Sequence, residues 1–295
     1  MTLENFTRSA LAVLICSAIL SLGPARAGVE SPYAGPLIDA HSHLPNLQVL
    51  EAYRQAMARH KIRKVLLLGV GGVQKRDLEW IAAAAKKYPD TVMQGLPVPD
   101  PLNPNEAARL DALLATGAYK ALGEVHIRQI SRRIERKPDD PAFGRTLESA
   151  AKHRVPVVIH AELNDYAAAG LERALNTHPK TIIVVAHGGS AEPTLLDGLL
   201  ARNSNLMVDL SGMHFLRSPA LATEKGPIDP RWKALIEKRP DRFLMGIDVW
   251  APQLFEPCTL DRLMTWTRRL LGELAPDAAE KVAHTNAVRL FRLEQ

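Results

Sequence analysis

Short apolar runs rich in β-branched residues punctuate the chain at 37–40, 64–70, 91–97, 120–125, 155–160, 181–186, 206–210 and 243–247. They are near-continuous in apolar residues rather than alternating, the pattern of parallel strands covered on both faces. Between them lie stretches with apolar residues three and four apart, at 47–60, 75–87, 105–116, 142–153, 165–177, 193–201 and 230–238. Several begin after Asn, Asp or Pro, as helices do. Further helices are expected at 259–272, 276–284 and 286–293. Eight strands alternating with helices over about 250 residues predict a (β/α)8 TIM barrel as a single α/β domain. A doubly wound open sheet is the competing architecture, but eight consecutive βα units with no linker or repeat fit it poorly.

The first residues do not belong to this rhythm. Residues 10–20 form a short apolar core, preceded by Arg8 and followed by Ala25-Arg26-Ala27, a small-x-small cleavage pattern. The run is too short to span a bilayer comfortably. It predicts a signal peptide over 1–27 and a mature barrel over 28–295, periplasmic or secreted, with no stable membrane span after cleavage. Apolar residues make up 46% of the 295, which excludes a disordered chain. Two cysteines, one of them (Cys16) inside the signal, exclude a disulfide scaffold. The net charge of +5 falls to +4 when Glu4, Arg8 and Arg26 are removed with residues 1–27, too modest an excess to argue for nucleic acid. The basic stretch 128–137 reads as a solvated loop and helix face.

Chemistry is expected at the C-terminal ends of barrel strands. There the sequence places His41 and His43 after strand one, Glu124 and His126 after strand four, His160 after strand five, His187 after strand six and Asp248 after strand eight. Residues two apart in a strand share a face, so His41 and His43 can grip one ion. His160 and Asp248, from other strands, can complete a site with open positions. Imidazole and carboxylate donors suit zinc or a neighbouring divalent metal, which lowers the pKa of bound water towards 7.

Together these segments resemble the amidohydrolase superfamily over about residues 36–293, in the amidohydrolase-related branch that also contains metal-dependent decarboxylases. The matching motifs are 37–43 (LIDAHSH), 183–189 (IVVAHGG), 205–212 (NLMVDLSG), 240–248 (PDRFLMGID) and 286–291 (NAVRLF). The resemblance implies that His41, His43, His160 and Asp248 hold a primary metal. Asp248 would also take the proton of an attacking water. His187 would polarise the substrate or ligate a second ion, and Glu124 stands where some members bridge two metals. The cofactor is then one or two divalent ions, zinc by preference. His126, Arg128, His214 and Trp250 are candidate contacts to a small-molecule substrate. The leading expectation is a metal-dependent hydrolase of a small amide, ester or lactone. Alternatives are a non-oxidative decarboxylase on the same barrel, a TatD-like DNase and a non-catalytic ligand-binding barrel.

Export is tested by the intact mass of protein from a periplasmic extract. The expected chain starts at Gly28; a mass that still includes residues 1–27 refutes the signal.

Overall fold

Nine strands form one sheet in the computed structural model, which describes residues 31–293. The segment expected to be a signal, 1–27, lies outside the described residues. Among those described, no helix is long and apolar enough to cross a membrane. The strands are β1 (Leu37–Ser42), β2 (Ile62–Leu67), β3 (Val92–Leu96), β4 (Tyr119–Gln129), β5 (Ile134–Glu135), β6 (Val157–Ala161), β7 (Ile183–Val185), β8 (Leu206–Asp209) and β9 (Phe243–Leu244). All but β5 pair in parallel, in the order β1-β2-β3-β4-β6-β7-β8-β9. The ring closes through backbone bonds between β1 and the segment after β9. Ala40 N–H donates to Met245 O at 2.9 Å, Asp248 N–H to His41 O at 2.8 Å and His43 N–H to Val249 O at 2.8 Å. That closure selects the barrel over an open sheet.

The helices fall where the apolar spacing places them: α1 (Leu50–Arg59), α2 (Asp77–Lys87), α3 (Glu106–Leu114), α4 (Pro141–His153), α5 (Asp165–Thr177), α6 (Pro193–Arg202), α7 (Pro230–Lys238), α8 (Pro257–Gly272), α9 (Pro276–Glu280) and α10 (Asn286–Phe291). Asp140, Asn164 and Asp229 cap α4, α5 and α7 through their side chains, satisfying amides the first turn leaves without partners. One large apolar layer packs the helices against the strands. A second fills the barrel interior with Ile38, Met93, Val158, Met207 and Leu244, and Leu290 and Phe291 of α10 plug it from below.

Two departures from the expected pattern shape the site. First, β4 runs on to Gln129 and pairs with β5, so the basic stretch 128–137 is partly an antiparallel hairpin rather than loop and helix. Second, β1 does not alternate evenly. Ile38 and Ala40 face the barrel interior, and an even pleat would turn His41 outward with Asp39. The β1–β2 register instead slips between Asp39 and Ser42, and His41 and His43 both face inward.

Asp39 holds this irregular strand in place. It is fully buried and accepts from the backbone N–H groups of His41 (3.1 Å) and Ile247 (2.9 Å), the Ser42 hydroxyl (2.6 Å) and the Tyr53 hydroxyl on α1. Burial raises its pKa, and these four donors oppose that rise. Asp39→Ala leaves buried donors unsatisfied, each costing about 1–3 kcal/mol. Urea unfolding followed by circular dichroism is expected to show a loss of about 3 kcal/mol or more. A variant as stable as the parent would remove Asp39 from this role.

Candidate metal centre

The barrel's C-terminal mouth gathers His41 from β1 and His43 just after it, Glu124 and His126 from β4, His160 from β6, His187 after β7 and Asp248 after β9, all buried. Close approach is permitted by Gly246, where a Cβ would lie 2.9 Å from the His41 Cβ and 2.7 Å from the Ser211 Cβ. His187 and Asp248 both adopt left-handed backbone (φ 56° and 57°), uncommon for residues with a side chain. Such conformations persist where the surroundings over-determine them, as they often do at functional sites.

Three imidazoles are fixed by their outer nitrogen. His41 Nδ1–H donates to Asp209 Oδ2 at 2.8 Å, His43 Nδ1–H to the Leu68 carbonyl at 2.9 Å and His187 Nδ1–H to the Ser211 carbonyl at 2.8 Å. Each Nε2 therefore points inward, the usual arrangement of a histidine metal ligand and its outer partner. The two Nε2 atoms of His41 and His43 are 3.1 Å apart. Two imidazoles on one ion, with bonds of about 2.0–2.1 Å, bring their nitrogens to roughly 2.9–3.4 Å. The donor set thus fits a divalent ion. Three overlapping groups have mutually close donor atoms: His41, His43 and Glu124; His41, His187 and Asp248; and Glu124, His160 and His187. His160 lies in the third group, facing Glu124, rather than directly beside His41 and His43.

Glu124 is the hub. Its Oε1 accepts from His160 Nδ1 (3.0 Å) and His187 Nε2 (3.1 Å), and its Oε2 from His126 Nε2 (3.2 Å). Burial opposes its ionisation, yet the three histidines hold its carboxyl well below the usual range. Burial also works against charge on His41, but Asp209, Glu124 and Asp248 raise its pKa to about 10. The same balance raises His187, through Asp248 and Glu124. Asp248 is lowered despite its burial, chiefly by His187, His43 and His41. Its Oδ2 accepts from the Arg217 guanidinium, while its Oδ1 lies 3.5 Å from His43 Nε2.

A cavity of about 190 Å3 opens onto this cluster, lined by His43, Glu124, His126, His160, His187 and Asp248 and walled by Arg132, Arg217 and Trp250. Of the candidate substrate contacts, His126 and Trp250 line it. Arg128 is turned away, donating to the Glu162 carbonyl at 2.6 Å and facing Glu135. His214 is buried, with Nε2 lacking a hydrogen-bond partner, and its pKa falls to about 4 through burial. Sequence reasoning missed Asp209, Arg132 and Arg217. Asp209 ends an apolar strand, the same signal that located the histidines. Arg217 sits in a long loop with no local signature.

The family model described as Amidohydrolase matches residues 30–293. The chain belongs to this family. No curated protein matches it. Among solved structures, 2,6-dihydroxybenzoate decarboxylase from Rhizobium is 18% identical with a TM-score of 0.62, covering 88% of this chain and 99% of its own. The 5-carboxyvanillate decarboxylase from Sphingomonas paucimobilis is 15% identical with a TM-score of 0.60, covering 88% and 99%. The enzyme of the same activity from Novosphingobium aromaticivorans, solved with manganese and 3-methoxy-4-hydroxy-5-nitrobenzoic acid, is 16% identical with a TM-score of 0.60, covering 88% and 98%. At these identities the likeness is one of fold.

Metal uptake has a defined pH signature. Below about 10 His41 keeps a proton that an ion must displace, so affinity falls as pH falls, by about tenfold per unit for each proton released. Titrations at pH 7, 8 and 9 are expected to show this slope together with proton release; a pH-independent affinity refutes the assignment of His41. Asp209→Asn should weaken binding by about 10–100-fold at constant fold, read by elemental analysis beside circular dichroism.

Proposed function

We propose that this protein is a metal-dependent, non-oxidative decarboxylase of small aromatic carboxylic acids, acting in the periplasm or outside the cell. The observation that carries this reading is the pair of arginines, Arg132 and Arg217, on the wall of a small cavity beside the metal-ligand cluster. Arg217 is 36% exposed and already holds one carboxylate, that of Asp248. A guanidinium fork binds carboxylates in a defined orientation. The similar solved structures named above are decarboxylases of hydroxylated benzoic acids, which supports the same substrate class.

His41, His43, Glu124, His160, His187 and Asp248 would hold one or two divalent ions, zinc or manganese. A bound ion supplies a Lewis acid that polarises a substrate oxygen. The protein's own groups do the rest. Arg217 and Arg132 orient the carboxylate, and Trp250 stands at the mouth. As the carbon–carbon bond breaks and carbon dioxide leaves, the ring carbon needs a proton. Where one ion is held and His187 stays outside its ligand set, the His187 imidazole, with both nitrogens facing acceptors, is the group placed to deliver it.

Hydrolysis of a small ester, amide or lactone is the second reading. It is favoured by the position of Asp248, which lines the cavity with its Oδ1 3.5 Å from His43 Nε2, where a carboxylate beside the ion could take a proton from an attacking water.

Metal-loaded protein should release carbon dioxide from at least one member of a hydroxybenzoate panel, with solvent deuterium appearing at the vacated carbon. Turnover of esters or lactones with no decarboxylation overturns the proposal in favour of hydrolysis. Arg217→Gln is expected to raise KM by about 10–100-fold with a smaller change in kcat, as loss of one charge-assisted contact would. Asp248→Asn should lower activity per bound metal by about 10²–10⁴ if it moves a proton.

A further inference from the structure

We propose that the face of the barrel opposite the metal centre carries a second site, for a phosphate-class anion with a small apolar body. Two cavities, of about 370 and 530 Å3, lie at the N-terminal ends of the strands. They flank the end of α10 and share Arg292.

Their charge is out of proportion to the rest of the molecule. The first is lined by Arg154, Lys180, Arg242, Arg289 and Arg292 against a single acid, Asp241. That acid faces Lys281 at 3.5 Å. The second adds Lys64, Lys86 and Lys120 with no acid. The two cavities together hold eight cations and one anion, a net excess larger than the +5 of the entire chain. Like charges gathered in this way repel, and Asp241 is the one acid that lines either cavity. Arg242 records the repulsion: burial and the neighbouring Arg239 and Arg289 lower its pKa.

The backbone adds a second observation. Arg154 and Arg292 each terminate a helix in left-handed conformation (φ 56° and 50°), the position where glycine is commonest. Both side chains line the same cavity. Arg242 and Arg289 are anchored to backbone carbonyls, Arg242 to Leu206 at 2.9 Å and Arg289 to Asp241 at 2.9 Å, which holds them in place before any ligand arrives. The floor is apolar, with Val155, Pro156, Met207 and Leu290. An apolar floor under a rim of guanidinium forks fits a phosphate or phosphonate carried on a ring or short chain.

The probes are phenylphosphonate, followed by titration calorimetry on the full chain, and vesicles of phosphatidylglycerol in phosphatidylcholine, followed by flotation. Asparagine tolerates the left-handed region, so Arg154→Asn with Arg292→Asn keeps the fold. Saturable phenylphosphonate binding is expected, weakened about tenfold or more in this double variant. It should be unchanged in His41→Ala and in a control with Lys75→Asn and Lys225→Asn. Vesicle flotation lost in the same double variant, without phenylphosphonate binding, supports the site and identifies a lipid headgroup as its source. Equal binding by the double variant, loss in His41→Ala, or no binding of either probe overturns the proposal.

Discussion

An ionised carboxylate buried in a barrel mouth is costly unless its oxygens are fully engaged, and Glu124 meets that condition through three imidazoles. The surrounding charges depend on the same balance. Asp248, Asp209 and Glu124 raise the pKa values of His41 and His187, and those imidazoles lower the pKa values of the carboxyls. Take away any one member and its neighbours become unpaired charges in a poorly solvated space. A divalent cation can enter this arrangement by displacing protons rather than by opening a new cavity.

Geometry at the mouth comes from controlled irregularity. The slip in β1 turns two histidines inward, and Asp39 secures the slipped strand to the segment that closes the ring. Gly212, at φ 65°, clears the space where Arg217, Asp248 and His187 converge: a Cβ there would lie 2.5, 2.5 and 3.0 Å from their nearest atoms. An ideal barrel built from evenly pleated strands would hold the same residues without bringing their donor atoms together.

The two ends of the barrel also differ in how charge is handled. At the C-terminal mouth, cations and anions are buried as partners. At the N-terminal face, cations outnumber anions and stay near water, with apolar side chains beneath them. The helical plug of α10 separates the two regions, so the ends can serve different ligands without sharing groups.

The barrel, its helices and the strand-end positions of His41, His43, Glu124, His160, His187 and Asp248 were legible in the sequence. Each depends on local periodicity and on the rule that chemistry gathers at the C-terminal ends of parallel strands. Which atoms face which was not legible. The alternation that places His41 with His43 would also turn Asp39 inward, and only the register slip, a product of pairing with β2 and closure against residues 245–249, sends it to Tyr53 instead. His160 turns to Glu124, Arg128 turns away to Glu162, and Arg217 crosses from a loop to Asp248. These contacts join residues 31 to 36 positions apart, or more in the case of the ring closure. Local sequence sets strand and helix because those depend on neighbours along the chain. Donor orientation and charge state depend on neighbours in space, and only the closed barrel supplies them.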